Sequence, residues 1–193
     1  VLWLFANGLD TAPVRKTDER TAVKSIGNST TCPRDLVNNE DVRLVFTVLA
    51  ESVAARLRDY GLKCTGIQIS LRDNQLYSAT RQGLLTKPSY LSADIINKAM
   101  ELFLANYNWF HPLRSIGIRA INLVTEKDHI QLALFDDIDE KTREQESLSH
   151  TIDAIHSRFG HGSLMRASCL LDSRLTGFNP KEDHVIHPVG YFK

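Results

Sequence analysis

The sequence predicts an α+β fold, a split β-α-β-β-α-β sandwich in which a four-stranded antiparallel sheet carries two helices on one face and a C-terminal helical tail follows. Two kinds of periodicity lead to this prediction. Apolar residues recur every three or four positions in two long stretches, as in amphipathic helices, and alternate with polar residues in the segments around them, as in strands. With 42% hydrophobic and 24% charged residues, the chain of 193 residues has the composition of a globular protein with a buried core.

The first predicted elements are a short strand and a long helix. Residues 23–31 are rich in threonine, serine and isoleucine, which favours a strand. Asn38 or Asn39 is expected to cap the helix, since two carboxylates follow in its first turn and suit the positive end of the helix dipole. An apolar stripe continues to Tyr60, and Gly61 is expected to end the helix.

A β-hairpin is predicted next. In residues 63–71 the period changes to two, because Ile67 and Ile69 alternate with polar side chains. Asp73 and Asn74 are expected to form a two-residue turn, after which the chain returns as a second strand. The hairpin therefore supplies two adjacent strands of the sheet.

The last predicted elements of the sandwich are a second helix and a fourth strand. Ser92 is expected to cap the helix, its apolar stripe extends to Phe110, and Pro112 prevents it from continuing. Residues 115–124 form the fourth strand. In the common strand orders of this motif, the first and last strands are antiparallel neighbours.

The triplet Ser-Ile-Gly occurs twice behind a basic residue, in KSIG at 24–27 and in RSIGIR at 114–119. If both isoleucines point into the core, alternation along the strands turns the intervening residues outward. The predicted open face is small, hydroxyl-bearing and basic, and consists of Ser25, Gly27, Ser29, Ser115, Gly117 and Arg119. Peptide N–H groups, hydroxyls and guanidinium groups donate to phosphate oxygens without reading base identity. These residues therefore suit sequence-tolerant binding of a phosphate backbone.

Two other interpretations of this face remain open. It is also consistent with a polar sheet surface that is merely solvated. The RNA-recognition fold has the same order of elements, but it stacks bases on aromatic side chains of its central strands. Only Tyr77 comes near such a position.

Four segments together resemble a known family. LWLFANGLD at 2–10, KSIGNSTT at 24–31, TRQGLL at 80–85 and RSIGIRAINL at 114–123 are similar to the end of the thumb and the little-finger domain of the Y-family translesion DNA polymerases, bacterial polymerase IV relatives especially. In that family the little finger lays its sheet along the DNA duplex and grips phosphates. The resemblance implies DNA-binding roles for Lys24, Ser25, Gly27, Ser29, Thr30, Arg81, Arg114 and Arg119, and the alternation along the last strand adds Ser115 and Gly117. Asn28 stands where many relatives carry a bulky or basic residue, which implies a weaker contact there.

The same resemblance divides the chain into four parts. Residues 1–22 correspond to a thumb remnant and linker, and 23–125 to the little-finger DNA-binding domain. Residues 126–140 are an acidic segment, and 141–193 are a C-terminal helix and tail. Because the chain begins with a valine, we expect a fragment of a longer protein.

The acidic segment contains QLALF at 131–135, which looks like the pentapeptide by which bacterial polymerases dock on the sliding clamp. Leu134 and Phe135 are expected to fill an apolar pocket and Gln131 to bond its rim, with Leu132 between them. An extra edge strand is the alternative. The charge pattern agrees with docking, because the preceding basic part would face DNA and leave the acidic part free for a protein.

Catalytic and metal sites are not expected in this chain. Two-metal phosphoryl transfer requires carboxylates clustered at adjacent strand ends, and the family's palm supplies them in patterns that are not found here at a strand end. The chain is therefore expected to need no cofactor, whereas Mg²⁺ is implied for the parent polymerase. Without a long apolar run or a paired-cysteine motif, we expect a cytoplasmic protein with no membrane partner. The alternative function is a protein-interaction module whose main partner is the replication clamp or another repair protein.

Overall fold

A computed structural model describes residues 2–11, 13, 23–125 and 140–180 and confirms the predicted fold class. The four strands form one antiparallel sheet in the order β1-β4-β2-β3. The elements are α1 (Leu2–Ala6), β1 (Ser25–Leu36), α2 (Asn39–Asp59), β2 (Leu62–Asp73), β3 (Ser78–Ser89), α3 (Ser92–Asn106), β4 (Leu113–Thr125), α4 (Glu140–Phe159), α5 (Ser173–Thr176) and two 3-10 helices, His161–Ser163 and Ala167–Leu171. In the described part of the chain, no helix is long and apolar enough to cross a membrane.

Helix α2 forms as the sequence predicts. The Asn38 side chain caps it by accepting a hydrogen bond from the backbone N–H of Asp41 at 2.8 Å. After the helix, Gly61 adopts a φ of 62°, a conformation in which glycine is favoured. The apolar stripe is buried against the sheet, with Phe46 and Leu49 at its centre.

The hairpin turn differs from the predicted two-residue turn. Strand β2 continues through Asp73, and the turn occupies the residues between Asp73 and Ser78. The Asp73 carboxylate accepts hydrogen bonds from the backbone N–H groups of Gln75 and Tyr77, both at 2.9 Å. An aspartate that bonds its own following backbone stabilises a wider turn than sequence spacing alone indicates.

The end of α3 also differs from the prediction, because the helix stops at Asn106. Trp109 folds back so that its ring contacts Phe103 edge-on, with 5.6 Å between the ring centroids. Phe110, which the periodicity places on the core stripe, is instead 82% exposed. The helical period cannot be extended past the last helical residue.

The C-terminal tail returns to the helix side of the domain. Its predicted helix is present as α4. Beyond it, Cys169 and Leu175 are buried, and α5 packs against α2 and β1. The guanidinium of Arg34 joins this part to the body, because it bonds the carboxylates of both Asp41 and Asp172 at 2.8 Å. These contacts leave the opposite face of the sheet uncovered by the described part of the tail.

Candidate nucleic-acid interface

The two Ser-Ile-Gly triplets lie side by side on neighbouring antiparallel strands. In the register of β1 and β4, Gly27 pairs with Arg119 and Ser29 pairs with Gly117. Each triplet glycine therefore lies opposite the residue two positions after the glycine of the other triplet. Ile26 and Ile116 are both buried beneath the sheet, so the residues that alternate with them face away from the helices.

The outward surface of β1, β4, β2 and β3 is the open face, and it contains every residue that strand alternation predicts. Its members from β1 and β4 are Ser25, Gly27, Ser29, Ser115, Gly117 and Arg119. At its centre is an open depression of about 540 Å³. The depression is lined by Gly27, Asn28, Ser29, Gln68, Ser70, Thr80, Ile118 and Arg119.

The central strand β2 adds residues that the sequence motifs do not assign to the site. Ser70 pairs with Gly117, and Arg72 pairs with Ser115, so both lie on the open face. On the other side of β2, Thr80 of β3 pairs with Ser70. The signal is present in the sequence, since polar residues alternate with Ile67 and Ile69 along this strand. Only the strand order brings them next to the triplets.

Both glycines of the Ser-Ile-Gly triplets lie close to atoms of neighbouring strands. A Cβ atom added at Gly117 would be 2.6 Å from Ser70 Oγ and 2.7 Å from Ser29 Cβ. One added at Gly27 would be 2.9 Å from both Arg119 Cβ and the carbonyl oxygen of Ile118. These separations are too short for real atoms, so close packing between the strands already requires glycine here. Approach of a ligand is not needed to explain either glycine.

Two residues implicated by the resemblance lie on the helix side of the sheet. Thr30 is four residues after Ile26 on β1, so its side chain lies on the same helix side of the strand as Ile26. Arg81 pairs with the buried Ile69, and its Nε donates to Asn106 Oδ1 at 3.1 Å in the α3 helix. The side chains of Thr30 and Arg81 therefore lie outside the open face, and the DNA-binding roles that the resemblance implies for them stay predictions.

The two basic residues before the triplets are also separate from the centre of the face. Lys24 precedes β1 and is exposed. Arg114 lies where the pairing of β2 with β4 is irregular, between the pairs formed by Leu113 and Ser115. Its Nη1 is 3.5 Å from Asp35 Oδ1, a weak ion pair at the end of the sheet.

Asn28 acts beneath the sheet rather than on its open surface. Its Nδ2 donates to Ser52 Oγ at 2.7 Å, and its Oδ1 accepts from Arg56 Nη1 at 3.1 Å. Arg56 also donates to the backbone carbonyl of Gly27 at 3.2 Å. The side chain of Asn28 thus ties β1 to α2, which explains an amide at a position where a weaker DNA contact is expected.

The open face carries two arginines that no described carboxylate neutralises. The ion pairs of the described residues are formed by other arginines and by lysines, and neither Arg72 nor Arg119 takes part in one. Both are exposed. On the same face, the hydroxyls of Thr31 and Ser115 lie 2.8 Å apart. This arrangement offers hydroxyl and guanidinium donors to an anion that lies along the sheet.

The described residues offer no set of ligands that would hold Mg²⁺. No group of three or more His, Cys, Asp or Glu side chains in residues 2–11, 13, 23–125 and 140–180 is placed to hold a metal ion. The predicted clamp residues Gln131, Leu132, Leu134 and Phe135 lie outside the described residues.

The fold and the open face define a split βαββαβ domain with helices on one side and an exposed polar sheet on the other. Residues 23–134, more than half of the chain, match the impB/mucB/samB family C-terminal domain, and the chain belongs to this family. The resemblance to the little finger of Y-family polymerases is thereby confirmed.

Individual relatives agree with this assignment. The chain is 44% identical over 174 residues to a DNA polymerase IV of Acetivibrio thermocellus, covering 90% of this chain and 43% of that protein. It is 32% identical over 174 residues to DNA polymerase IV 2 of Bacillus subtilis, covering 88% and 40%. The chain thus spans less than half the length of these curated relatives. Among solved structures, the little finger of PolIV in complex with the beta-clamp processivity factor has a TM-score of 0.45 and 18% identity, covering 57% of this chain and 98% of that one.

Proposed function

We propose that this chain is the DNA-gripping part of a cytoplasmic translesion DNA polymerase and that its open face binds the backbone of primer-template DNA. The observation that carries the proposal is the pairing of the two triplets, which places Arg119 among serine and threonine hydroxyls on a sheet face that no described element covers. The relatives from Acetivibrio thermocellus and Bacillus subtilis are DNA polymerases IV. Polymerase activity and its Mg²⁺ would then belong to the parent protein rather than to the described residues.

Geometry supports contact with several phosphates at once. Arg119 of β4 pairs with Gln68 of β2, and Arg72 lies four residues after Gln68 on β2. Since four residues of a strand span roughly 13 Å, the positions of Gln68 and Arg72 are that far apart along the sheet. Hydroxyls of Ser70 and Ser115 lie on the face between or beside them. Since hydroxyl and guanidinium contacts to phosphate oxygens carry no information about base identity, binding is expected to tolerate any sequence.

The test measures binding of primer-template DNA by the chain and by two single variants, Arg119→Ala and Arg72→Ala. Each variant is expected to weaken binding by the same factor for two unrelated DNA sequences. The slope of log K against log salt is expected to become less steep by about 0.9 for each phosphate that the protein no longer neutralises. Arg81→Ala is the matched control, because Arg81 is an exposed arginine of the same sheet that faces α3. Affinity independent of salt, or an equal loss in all three variants, would contradict the proposal.

We further propose that Gln131, Leu132, Leu134 and Phe135 dock on the sliding clamp. The support is the pentapeptide itself and the acidic residues around it. Phe135→Ala is expected to abolish clamp binding while leaving DNA affinity unchanged, because a buried aromatic anchor dominates such interfaces. His129→Ala, just outside the pentapeptide, is the control.

The alternative is a protein-interaction module that does not grip DNA. Clamp binding without any salt-dependent DNA binding would favour this alternative. If Phe135→Ala reduces both activities together, the division into a DNA surface and a clamp peptide is wrong.

A further inference from the structure

Helix α4 contacts the body through one polar stripe. Glu146, His150 and Asp153 lie on the same side of the helix, since they are spaced by four and three residues. Glu146 Oε1 is 3.0 Å from Lys63 Nζ at the start of β2. Asp153 Oδ1 accepts from Arg58 Nη2 at 2.8 Å near the end of α2. Two carboxylates of α4 thus meet two cations of the body.

Tyr90 lies at the centre of this contact. Lys63 Nζ is 4.9 Å and Arg58 Cζ is 5.7 Å from its ring centroid, and both cations are therefore placed to interact with the ring. From α4, the ring of His150 meets Tyr90 edge-on, and its Nε2 is 3.3 Å from the tyrosine hydroxyl. The attachment is an assembly of charged, aromatic and hydrogen-bonding groups.

Apolar burial contributes little to this attachment. No described side chain of α4 is fully buried: Ile152 and Ile155 are half-buried, and Leu148 and Phe159 are 59% and 64% exposed. A groove of about 800 Å³ lies between α4 and the body. The following part of the tail is held differently, because Leu175 is fully buried in the core of the domain. The tail therefore has a polar attachment at α4 and an apolar one at α5.

A glycine joint separates these two attachments. Gly160 ends α4 with a φ of 89°, and Gly162 follows in open space. We propose that α4 is an electrostatic latch, which docks on Lys63, Arg58 and Tyr90 and releases about this joint while residues 167–178 stay packed. Because α4 begins shortly after the pentapeptide in the sequence, release of α4 would also free the chain that follows the pentapeptide. This consequence rests on the proposed clamp docking. The latch itself needs neither DNA nor the clamp.

Hydrogen exchange on the whole chain, without DNA or clamp, tests the latch. Glu146→Lys places a cation against Lys63, and the amides of α4 are expected to exchange roughly tenfold faster or more, because a helix in a protein takes most of its stability from tertiary contacts. Peptides covering 167–178 are expected to keep their protection. Reversing both charges, in the double variant Lys63→Glu with Glu146→Lys, is expected to restore part of the protection of α4, because the ion pair returns whereas the cation above the Tyr90 ring does not.

Glu144→Lys is the matched control, because Glu144 is exposed on α4 and forms no ion pair among the described residues. It should leave exchange of α4 unchanged. Unchanged protection in Glu146→Lys, an equal effect of Glu144→Lys, or failure of the double variant to restore protection would each overturn the latch. Faster exchange in 167–178 together with α4 would show that the tail opens as one unit, which also overturns it.

Discussion

Replacing Gly117 by alanine separates two explanations of the paired glycines. If glycine were present only so that a ligand can approach, alanine would stabilise the free protein, since glycine in a strand costs about 0.5–1 kcal/mol relative to alanine. The structure predicts the opposite sign. The new methyl group would be 2.7 Å from Ser29 Cβ and 2.6 Å from Ser70 Oγ, on the two strands that flank β4.

The magnitude follows from which neighbour is able to move. The Ser70 hydroxyl can rotate to another rotamer, but Ser29 Cβ is fixed to its backbone, so β1 has to shift away from β4. Overpacking of this kind costs about 1–3 kcal/mol, and we expect about 2 kcal/mol because strand atoms are displaced as well as a side chain. For a chain of 193 residues whose tail packs on the same core, that loss lowers the midpoint of thermal unfolding by roughly 4–8 °C.

Denaturant unfolding followed by circular dichroism measures the effect. Ser29→Gly removes the immovable Cβ, so the double variant Ser29→Gly with Gly117→Ala is expected to recover about half of the lost stability through coupling between neighbours. If Gly117→Ala is as stable as the unsubstituted chain or more so, and only its DNA affinity falls, the packing explanation is refuted. The glycine would then serve the ligand.

Three further predictions concern the body of the domain. The Arg34 guanidinium lowers the pKa of Asp41 below its ordinary value of 3.8, so this pair stabilises the fold at neutral pH. The contribution is lost as pH falls from 3.8 through the lower pKa of the folded state. In Arg34→Ala, the free energy of unfolding should therefore fall less steeply as the pH is lowered through this range. Leu175→Ala should reduce the free energy of unfolding by about 2–5 kcal/mol, because its fully buried side chain joins the tail to the core; no change would show that the tail adds nothing to the fold. Burial raises the pKa of the Cys64 thiol to about 12, so it should react with a thiol reagent at about pH 8 only at the rate of unfolding, and immediate labelling of the native protein would contradict this.

Local pattern was sufficient for most of the secondary structure. Both helices beneath the sheet and all four strands are found where periodicity predicts them, because each is long enough for its apolar face to be unambiguous. The errors lie at ends of elements. Phe110 continues a helical period after the helix has stopped, and the Asp73 side chain organises a turn that spacing alone does not reveal.

The candidate interface was predictable in part. Outward positions on β1 and β4 follow from placing Ile26 and Ile116 in the core. Thr30 and Arg81, which were inferred from the resemblance alone, face the helix layer instead of the open face. A shift of one residue along a strand changes the face, so an inference by sequence position is sensitive to register.

Chain periodicity therefore established the fold class, the buried face of each element and the outward position of the triplets, because these depend on contacts that repeat every two or every three to four residues. The strand order decided that β2 contributes Ser70 and Arg72 to the same surface. Packing between strands decided why Gly27 and Gly117 are glycines, and long-range ion pairs decided where α4 lies. These features join residues far apart in the chain, and no local pattern in one sequence records which distant partners meet.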